Sequence, residues 1–476
     1  MVLRNGSGAS VSRARRTACA SLGLLCVLVA SAPPAFGHAR LLSSTPAAGA
    51  RGVAERAREV VLRFSEPVAI VNRSDVSVVN GSGRRVDTAA PRAVGTKVVI
   101  PLHGPLLPES YTVRLRVLSE DSHAESSAFV FAVGRAAPGP PILAGTGGLS
   151  ESSPPAVGAR FLELVALGAL LGLIAFRGLV WDPAVTGARG LRGVDRSRAL
   201  DAGARSFWRA FWAFAVLAGV AEAVVLAAKS AVLTHTSLVS SALHPAPAYH
   251  LVSASRFGDL LGWRTVALIV LTAVAFVVWS IEREAAPAAG RRGPLVVMAA
   301  LALAALVLLA DQGHASQAPL APLSVAADAA HLTAVAIWIA GLPCLAAVLL
   351  RAPAALSAAG RTLASTTLAR FSRVALWSVV VIAVTGLARM AGELSAPEQL
   401  WTTGYGKDLL LKTALLCPIL IVARRNRRVG AALGAGWTPT AARLRAVARD
   451  VQLELAIAFG IVVVAAILVA QLPGRA

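Results

Sequence analysis

Residues 324–350 read SVAADAAHLTAVAIWIAGLPCLAAVLL, and this stretch decides the class of the protein. It is longer than the ~20 helical residues that cross the hydrocarbon core of a bilayer. Its only charged or imidazole side chains are Asp328 and His331. The whole chain of 476 residues is 56% hydrophobic and only 15% charged, with a mean hydropathy of +0.66. A soluble globular domain does not have this composition, so we expect an integral membrane protein.

Seven further stretches are apolar enough to span a membrane, so the sequence predicts an all-α polytopic domain with eight transmembrane helices. The predicted spans are 159–180, 207–228, 261–281, 295–311, 324–350, 374–392, 407–423 and 452–471. The net charge is +21, and arginines concentrate in every second connection between these spans. The positive-inside rule makes those connections cytoplasmic and places both termini outside the cell membrane. Because the charge has this explanation, we expect the lipid bilayer as a partner and exclude nucleic acid.

Residues 1–37 have the form of a secretory signal peptide. Arginines precede an apolar stretch from Ala18 to Ala32, and Ala35-Phe36-Gly37 fits a signal peptidase site. Cleavage there makes His38 the first residue of the mature chain. A histidine at a free N-terminus chelates a metal ion through its α-amino nitrogen and its ring Nδ1. Cleavage a few residues away would instead leave His38 as an ordinary surface imidazole.

Residues 38–134 have a different character from the rest. Alternating or β-branched runs are separated by turn residues such as Asn80-Gly81-Ser82-Gly83, which predicts an antiparallel sandwich of about seven strands. The runs are at 59–64, 75–79, 97–100, 111–117 and 128–133. Residues 135–155 are rich in proline, glycine and serine, so we expect a flexible linker to the membrane domain at 156–476.

Asp121 and His123 form a second chemical signal after the run at 111–117. In an extended segment residues i and i+2 point to the same side, so both side chains can converge on one ion. With His38 they make a set of nitrogen and carboxylate donors that suits Cu(II). The exported domain contains no cysteine or methionine, so a Cu(I) cage of soft ligands is not expected in it.

Three motifs in this domain resemble the CopC family of copper-binding domains. They are HARLLSSTPAAG at 38–49, VLRFSEPV at 61–68 and YTVRLRVLSEDSH at 111–123. The resemblance implies a Greek-key, immunoglobulin-like β-sandwich that binds Cu(II) through His38, Asp121 and His123. Glu66 in the second motif is a candidate for orienting a ligand, with an ordinary strand-end carboxylate as the alternative.

The membrane half resembles CopD, and the joined arrangement resembles CopC/CopD fusion proteins of the YcnJ type, which act in copper resistance and uptake. The matching pieces are GHA at 313–315, HLTAVAIWIAGL at 331–342, ARFSRV at 369–374, TGYGK at 403–407 with Lys412, and Asn426-Arg427. The first three helices match only in hydropathy. The resemblance implies copper homeostasis and movement of copper across the inner membrane.

Ionisable residues inside a membrane are costly and therefore mark candidate functional sites. Asp328 and His331 share one helix face through their i, i+3 spacing. Asp311 and His314 lie at the outer end of the preceding span. We expect these four residues to form an acidic mouth that accepts copper, as Cu(II) or Cu(I), with histidines merely hydrogen-bonded to neighbouring helices as the alternative. Three loop histidines are candidates for a further collecting site: His235, His244 and His250.

The sequence thus predicts Cu(II) capture outside the membrane followed by copper import or delivery, with no enzymatic activity. Other copper-handling proteins are the expected partners. Three alternatives stay open: a copper sensor or metallochaperone without transport, a histidine-brace copper monooxygenase, and a haem electron-transfer protein. No nucleotide-binding or phosphorylation motif is present, so the energy source, the direction of transport and the oligomeric state are left open.

Overall fold

The computed structural model describes residues 39–70, 75–119, 124–142, 153–188, 193–234, 236–284, 292–317, 320–351, 358–393, 397–434 and 440–469. Within these residues a β-sandwich is followed by a bundle of long helices. The predicted signal peptide lies outside the described residues, as do His38, Asp121, His123 and His235.

The N-terminal unit is an antiparallel β-sandwich, as the strand pattern predicts. Its strands are β1 Leu41–Thr45, β2 Glu59–Phe64, β3 Val68–Ala69, β4 Val76–Val79, β5 Arg92–Val94, β6 Lys97–Pro101, β7 Ser110–Ser119 and β8 Ala124–Ala132. One sheet has the order β1-β2-β6-β5. In the other sheet β7 pairs with β8 along one edge and with both β3 and β4 along the opposite edge.

Alternation along the strands builds the core of the sandwich. Val60, Leu62 and Phe64 of β2 point inward, and β7 contributes every second residue from Tyr111 to Val117. Tyr111 stacks on Phe131 with ring centroids 5.5 Å apart, and its hydroxyl donates to the carbonyl of Leu107 at 3.1 Å. Burial, together with the nearby Glu109 carboxylate, raises the pKa of Tyr111 above its ordinary value.

The second unit is helical. Its helices are α1 Pro154–Ala175, α2 Asp182–Gly187, α3 Gly193–Thr234, α4 Leu238–Leu243, α5 Ala246–Ala254, α6 Arg256–Glu284, α7 Arg292–Asp311, α8 Ala321–Arg351, α9 Ala358–Glu393, α10 Gln399–Thr402, α11 Gly404–Gly434 and α12 Ala441–Val469. A π-helical turn, Phe176–Trp181, joins α1 to α2, and a 3₁₀ helix, His314–Gln317, follows α7.

Seven helical segments of the described chain are long and apolar enough to cross a membrane. They are Pro154–Gly187, Gly193–Thr234, Arg256–Glu284, Gly293–Asp311, Ala321–Leu349, Gly360–Met390 and Ala442–Leu468. The polytopic membrane domain is therefore confirmed. The remaining predicted span, 407–423, lies within α11, a continuous helix. Its apolar stretch is interrupted by Lys412 and runs into Arg424 and Arg425, which makes α11 more polar than the other seven.

Helix α1 is the centre of the bundle and contacts α3, α7, α8 and α12. Small residues allow a close approach to α8: a Cβ added to Gly172 would lie 2.5 Å from the carbonyl oxygen of Ala336. Side chains of α1, α3, α6 and α7 form one apolar cluster, and those of α8, α9, α11 and α12 form another. The bundle therefore has two halves that meet along the contact of α1 with α8.

The first part of the predicted linker lies against the sandwich. Gly139 donates its backbone N–H to Ser110 Oγ at 2.9 Å, and Ile142 donates to Thr112 Oγ1 at 3.1 Å. Arg114 Nε in turn donates to the carbonyl of Ile142 at 2.7 Å. These bonds occupy the outer face of β7, so the chain up to Ile142 is tied to the sheet and is not a free tether.

Candidate functional site

The described neighbours of the three predicted copper ligands meet at one end of the sandwich. Arg40, two residues after His38, exchanges backbone and side-chain hydrogen bonds with Ser65 at 2.9 Å. Three residues further on, Val68 of β3 pairs with Ser119 of β7, which lies two residues before Asp121. The segment between β2 and β3 therefore connects the two chain regions that carry the predicted ligands.

Glu66 lies in this connecting segment. It is only 8% exposed although it is a carboxylate, and it follows Ser65, which holds Arg40. A buried carboxylate between the two ligand-bearing regions is placed as an orienting residue requires. Its assignment as such a residue stays a prediction, because the three ligands lie outside the described residues.

The same end of the sandwich rests on the helical bundle. Leu118 of β7 is 2% exposed, yet it points away from the sandwich core because it has the opposite parity to Val113, Leu115 and Val117. It packs in one apolar cluster with Leu251 of α5 and with side chains of three longer helices: Ala159, Val225, Ala228, Leu233, Phe257 and Leu261. The strand that leads to Asp121 and His123 is therefore docked on the ends of α1, α3, α5 and α6.

A buried ionic network near this contact joins α1, α3 and α6 to the end of α7. Arg264 of α6 is fully buried and lies 2.6 Å from a carboxylate oxygen of Glu163 on α1 and 2.6 Å from one of Glu222 on α3. It also donates to Oε1 of Gln312, just after α7, at 2.8 Å. Arg160 approaches the other oxygen of Glu163 at 3.0 Å. Glu163 and Glu222 are thus both paired with an arginine that itself lies inside a predicted span.

The predicted copper-accepting residues Asp311 and His314 lie next to this network. Asp311 is paired with Arg256, at the start of α6, at 2.9 Å. Arg256 also donates to Ser316 Oγ at 3.2 Å and so fastens the 3₁₀ helix to α6. His314 begins that 3₁₀ helix. The Asp311 carboxylate is therefore already engaged by a cation from a neighbouring helix.

Asp328 and His331 of α8 both face α9. The Asp328 carboxylate accepts a hydrogen bond from the guanidinium of Arg389. His331 is 6% exposed, and its Nδ1 lies 2.9 Å from Oγ1 of Thr385. Thr385 and Arg389 are spaced i, i+4 on α9, so the predicted common face of Asp328 and His331 meets a complementary pair.

The structure does not gather these residues into a ready metal cage. Among the described residues, no three histidine, cysteine, aspartate or glutamate side chains come close enough to hold one ion. His244 is exposed, with Nδ1 2.9 Å from the carbonyl of Ser240, and His250 is exposed beside Tyr249. The collecting site suggested by the loop histidines stays a prediction.

A cavity of ≈ 1190 Å³ opens beside His331 and Arg389, among α1, α3, α8, α9, α11 and α12. Its walls are mostly apolar, but His331, Arg389, Met390 and Lys412 contribute polar or polarisable groups. Another intramembrane carboxylate, Glu454, accepts a hydrogen bond from Asn426 Nδ2 at 2.7 Å and so pairs with an amide.

The sequence analysis identified Asp311 and Asp328 as candidates, but it did not identify the residues that contact them in the structure. Arg264 and Arg389 both lie inside predicted spans, and the rule that flagged Asp328 and His331 applies equally to them. Thr385 carried no such signal, because a threonine in a membrane helix usually satisfies its hydroxyl on a carbonyl of its own helix.

Comparison with known proteins adds three family matches in chain order. The CopC domain model matches residues 41–134, the N-terminal domain model of copper resistance protein D-like proteins matches 151–320, and the copper resistance protein D model matches 365–468. The chain is a CopC–CopD fusion. A relative that matches most of the chain is copper transport protein CutJ of Bacillus subtilis (strain 168), 25% identical over 421 residues that cover 86% of this chain and 72% of CutJ.

Among solved structures, CopC from Methylosinus trichosporium OB3b is 23% identical, with a TM-score of 0.18, and covers 22% of this chain and 100% of its own. The N-terminal match to the CopD-like family includes α1 and α3, which our motifs related to CopD only by hydropathy. It contains the Arg264 network, whereas the second CopD match contains Thr385 and Arg389. Models of copper resistance families thus match both units of the chain.

Proposed function

We propose that this CopC–CopD fusion captures Cu(II) outside the cell membrane and passes it to its membrane domain for import or delivery. His38, Asp121 and His123 bind the ion in the CopC domain, with Glu66 orienting a ligand. Asp311, His314, Asp328 and His331 receive it in the membrane domain. The proposal is supported by the family matches and by the printed role of CutJ as a copper transport protein.

One observation carries the transfer step: the docking of Leu118 on the ends of α1, α3, α5 and α6. These ends adjoin the Arg256–Asp311 ion pair, because Phe257 of the docking cluster follows Arg256 directly. A captured ion is therefore released close to the membrane domain and does not depend on a long tether. The arginine distribution and the signal-like N-terminus favour an extracytoplasmic position for the CopC domain and for the C-terminus.

The donor set supports Cu(II) in the CopC domain. Imidazole, amine and carboxylate ligands suit tetragonal Cu(II), and they must be deprotonated to bind it. Affinity for Cu(II) is therefore expected to fall as the pH is lowered.

Two measurements test the function. Equilibrium binding of Cu(II) to the isolated domain 38–134 is compared with binding to the same domain carrying one extra N-terminal glycine. The extension removes the chelate of α-amine and ring, so affinity drops; equal affinities refute the N-terminal chelate. Cellular copper content is then compared between a strain in which the gene is deleted and the same strain carrying a restored copy of the gene.

Lower copper content in the deletion strain indicates import, and higher content indicates export and contradicts the proposed direction. Unchanged content with reduced activity of a copper enzyme indicates delivery without net transport. Asp121→Asn and His123→Ala variants are expected to reproduce the deletion, whereas His103→Ala, which alters an exposed histidine of the same domain, retains wild-type copper content.

A further inference from the structure

Two consecutive turns of α9 engage two consecutive turns of α8 at the proposed receiving site. Thr385 meets His331 and Arg389 meets Asp328. Since Thr385 and Arg389 are i, i+4 and Asp328 and His331 are i, i+3, both contacts lie on one line between the helices. The four side chains therefore form a single unit, which we call the α8–α9 pair site.

The hydrogen bonds of Thr385 fix the tautomer of His331. Thr385 Oγ1 lies 2.6 Å from the carbonyl oxygen of Val381, which can only accept. A hydroxyl has a single proton, so that proton goes to Val381 and Oγ1 must accept from His331. In its neutral form His331 consequently carries its proton on Nδ1, and Nε2 holds the free electron pair.

This arrangement is the one that metal-binding histidines use. Their second ring nitrogen donates to an oxygen, which holds the ring and makes the other nitrogen a better ligand. His331 lines the ≈ 1190 Å³ cavity, and a Cβ added at Gly386 would lie 3.7 Å from its Cε1 atom. The absence of a side chain at Gly386 leaves room beside the ring.

The charges around the pair site oppose a metal ion in this conformation. Asp328 supplies one negative charge, while Arg389 is paired with it and Lys412 of α11 lines the same cavity. A copper ion can use the Asp328 carboxylate only if the guanidinium leaves it.

We propose that Asp328 and Nε2 of His331 bind copper as Cu(II) in the membrane domain, that Arg389 is a tethered cation which closes this site, and that Thr385 is a positioning residue for His331. The proposal rests on the proposed copper-transfer function. Carboxylate oxygen and imidazole nitrogen are the donor types that suit Cu(II). Entry of the ion exchanges one cation for another on Asp328, so the buried carboxylate keeps a positive partner throughout.

The test measures Cu(II) binding by equilibrium dialysis to the purified full chain with His123→Ala, which weakens the CopC site. Adding Arg389→Gln is expected to create a Cu(II) site that binds at least about tenfold tighter than the parent, because a unit charge a few ångströms away strongly repels the ion. Arg373→Gln, at an exposed arginine of the same helix, is the matched control and leaves binding unchanged.

Two further substitutions identify the ligands and the role of Thr385. The gain in Arg389→Gln disappears when His331→Ala or Asp328→Asn is added. Thr385→Val lowers the gained affinity about 10- to 100-fold, as loss of an orienting partner does, whereas Thr385→Ser restores it. If Thr385→Val leaves the gained Cu(II) affinity unchanged, the positioning role is refuted. If the gain in affinity persists after His331→Ala is added, the ligand assignment is refuted.

If Arg389→Gln does not fold, copper accumulation by cells carrying Asp328→Asn is compared with that of Arg373→Gln. Accumulation at the deletion level for Asp328→Asn supports the site, and wild-type accumulation refutes it. An unchanged affinity in folded Arg389→Gln refutes the gate while the proposed function stands, whereas wild-type protein that does not alter cellular copper refutes the proposed function itself.

Discussion

Replacement of Arg264 by methionine tests whether charge balance holds the first half of the bundle together. Arg264 is fully buried and lies within hydrogen-bonding distance of Glu163, Glu222 and Gln312. With Arg160, the network contains two arginines and two glutamates, so it is neutral. The substitution leaves two buried carboxylates facing one cation. Removing one member of a buried ion pair destabilises a protein by about 3–5 kcal/mol, because the remaining charge is buried without compensation.

The double variant Arg264→Met with Glu222→Gln separates charge from packing. It leaves the Arg160–Glu163 pair at 3.0 Å and restores neutrality, so most of the lost stability should return. Arg283→Met is the control: Arg283 is on the same helix, exposed, and stacked over Trp279 at 4.8 Å, and its loss should cost about 1 kcal/mol or less. The assay is the unfolding midpoint of the detergent-purified chain. A double variant no more stable than Arg264→Met refutes the charge-balance explanation.

Three further substitutions test separate contacts. Leu118→Asp places a charge in the docking cluster, so hydrogen exchange in α5 should rise, whereas Leu107→Asp at a 69% exposed position should leave it unchanged. Gly172→Ala crowds Ala336 and Ala340 and should cost about 1–3 kcal/mol by overpacking, whereas Gly158→Ala on the same helix meets no atom within 4 Å and should be neutral or slightly stabilising; equal melting temperatures would contradict the close packing of α1 on α8. Because the pKa of Tyr111 is raised in the fold, its contribution is complete below the unfolded pKa of ~10 and is lost as the pH rises through the folded value, so Tyr111→Phe should flatten the alkaline loss of stability of the isolated sandwich; an unchanged alkaline limb would show that another group is responsible.

Local patterns in the sequence were sufficient to predict the architecture. Apolar runs longer than ~20 residues require a membrane span, and alternation along 59–64 and 111–117 requires strands with one buried face. The sequence also shows how α11 differs from the other spans: Lys412 interrupts its apolar stretch, and its helix continues into Arg424 and Arg425. What the sequence could not show is that residues up to Ile142 bind the sheet. Proline- and glycine-rich composition does not reveal hydrogen bonds to a distant strand.

The sequence by itself determined the residue types that copper chemistry needs and the order of the two domains. Periodicity also placed Asp328 and His331 on one face of a helix, because that relation depends only on the 3.6-residue repeat. Only the tertiary structure decided which residues face them. Thr385 and Arg389 lie more than fifty positions away in the chain and meet them across a helix contact, and Leu118 turns from the sandwich towards helices that follow it. Such pairings depend on how whole elements pack, which no local spacing encodes.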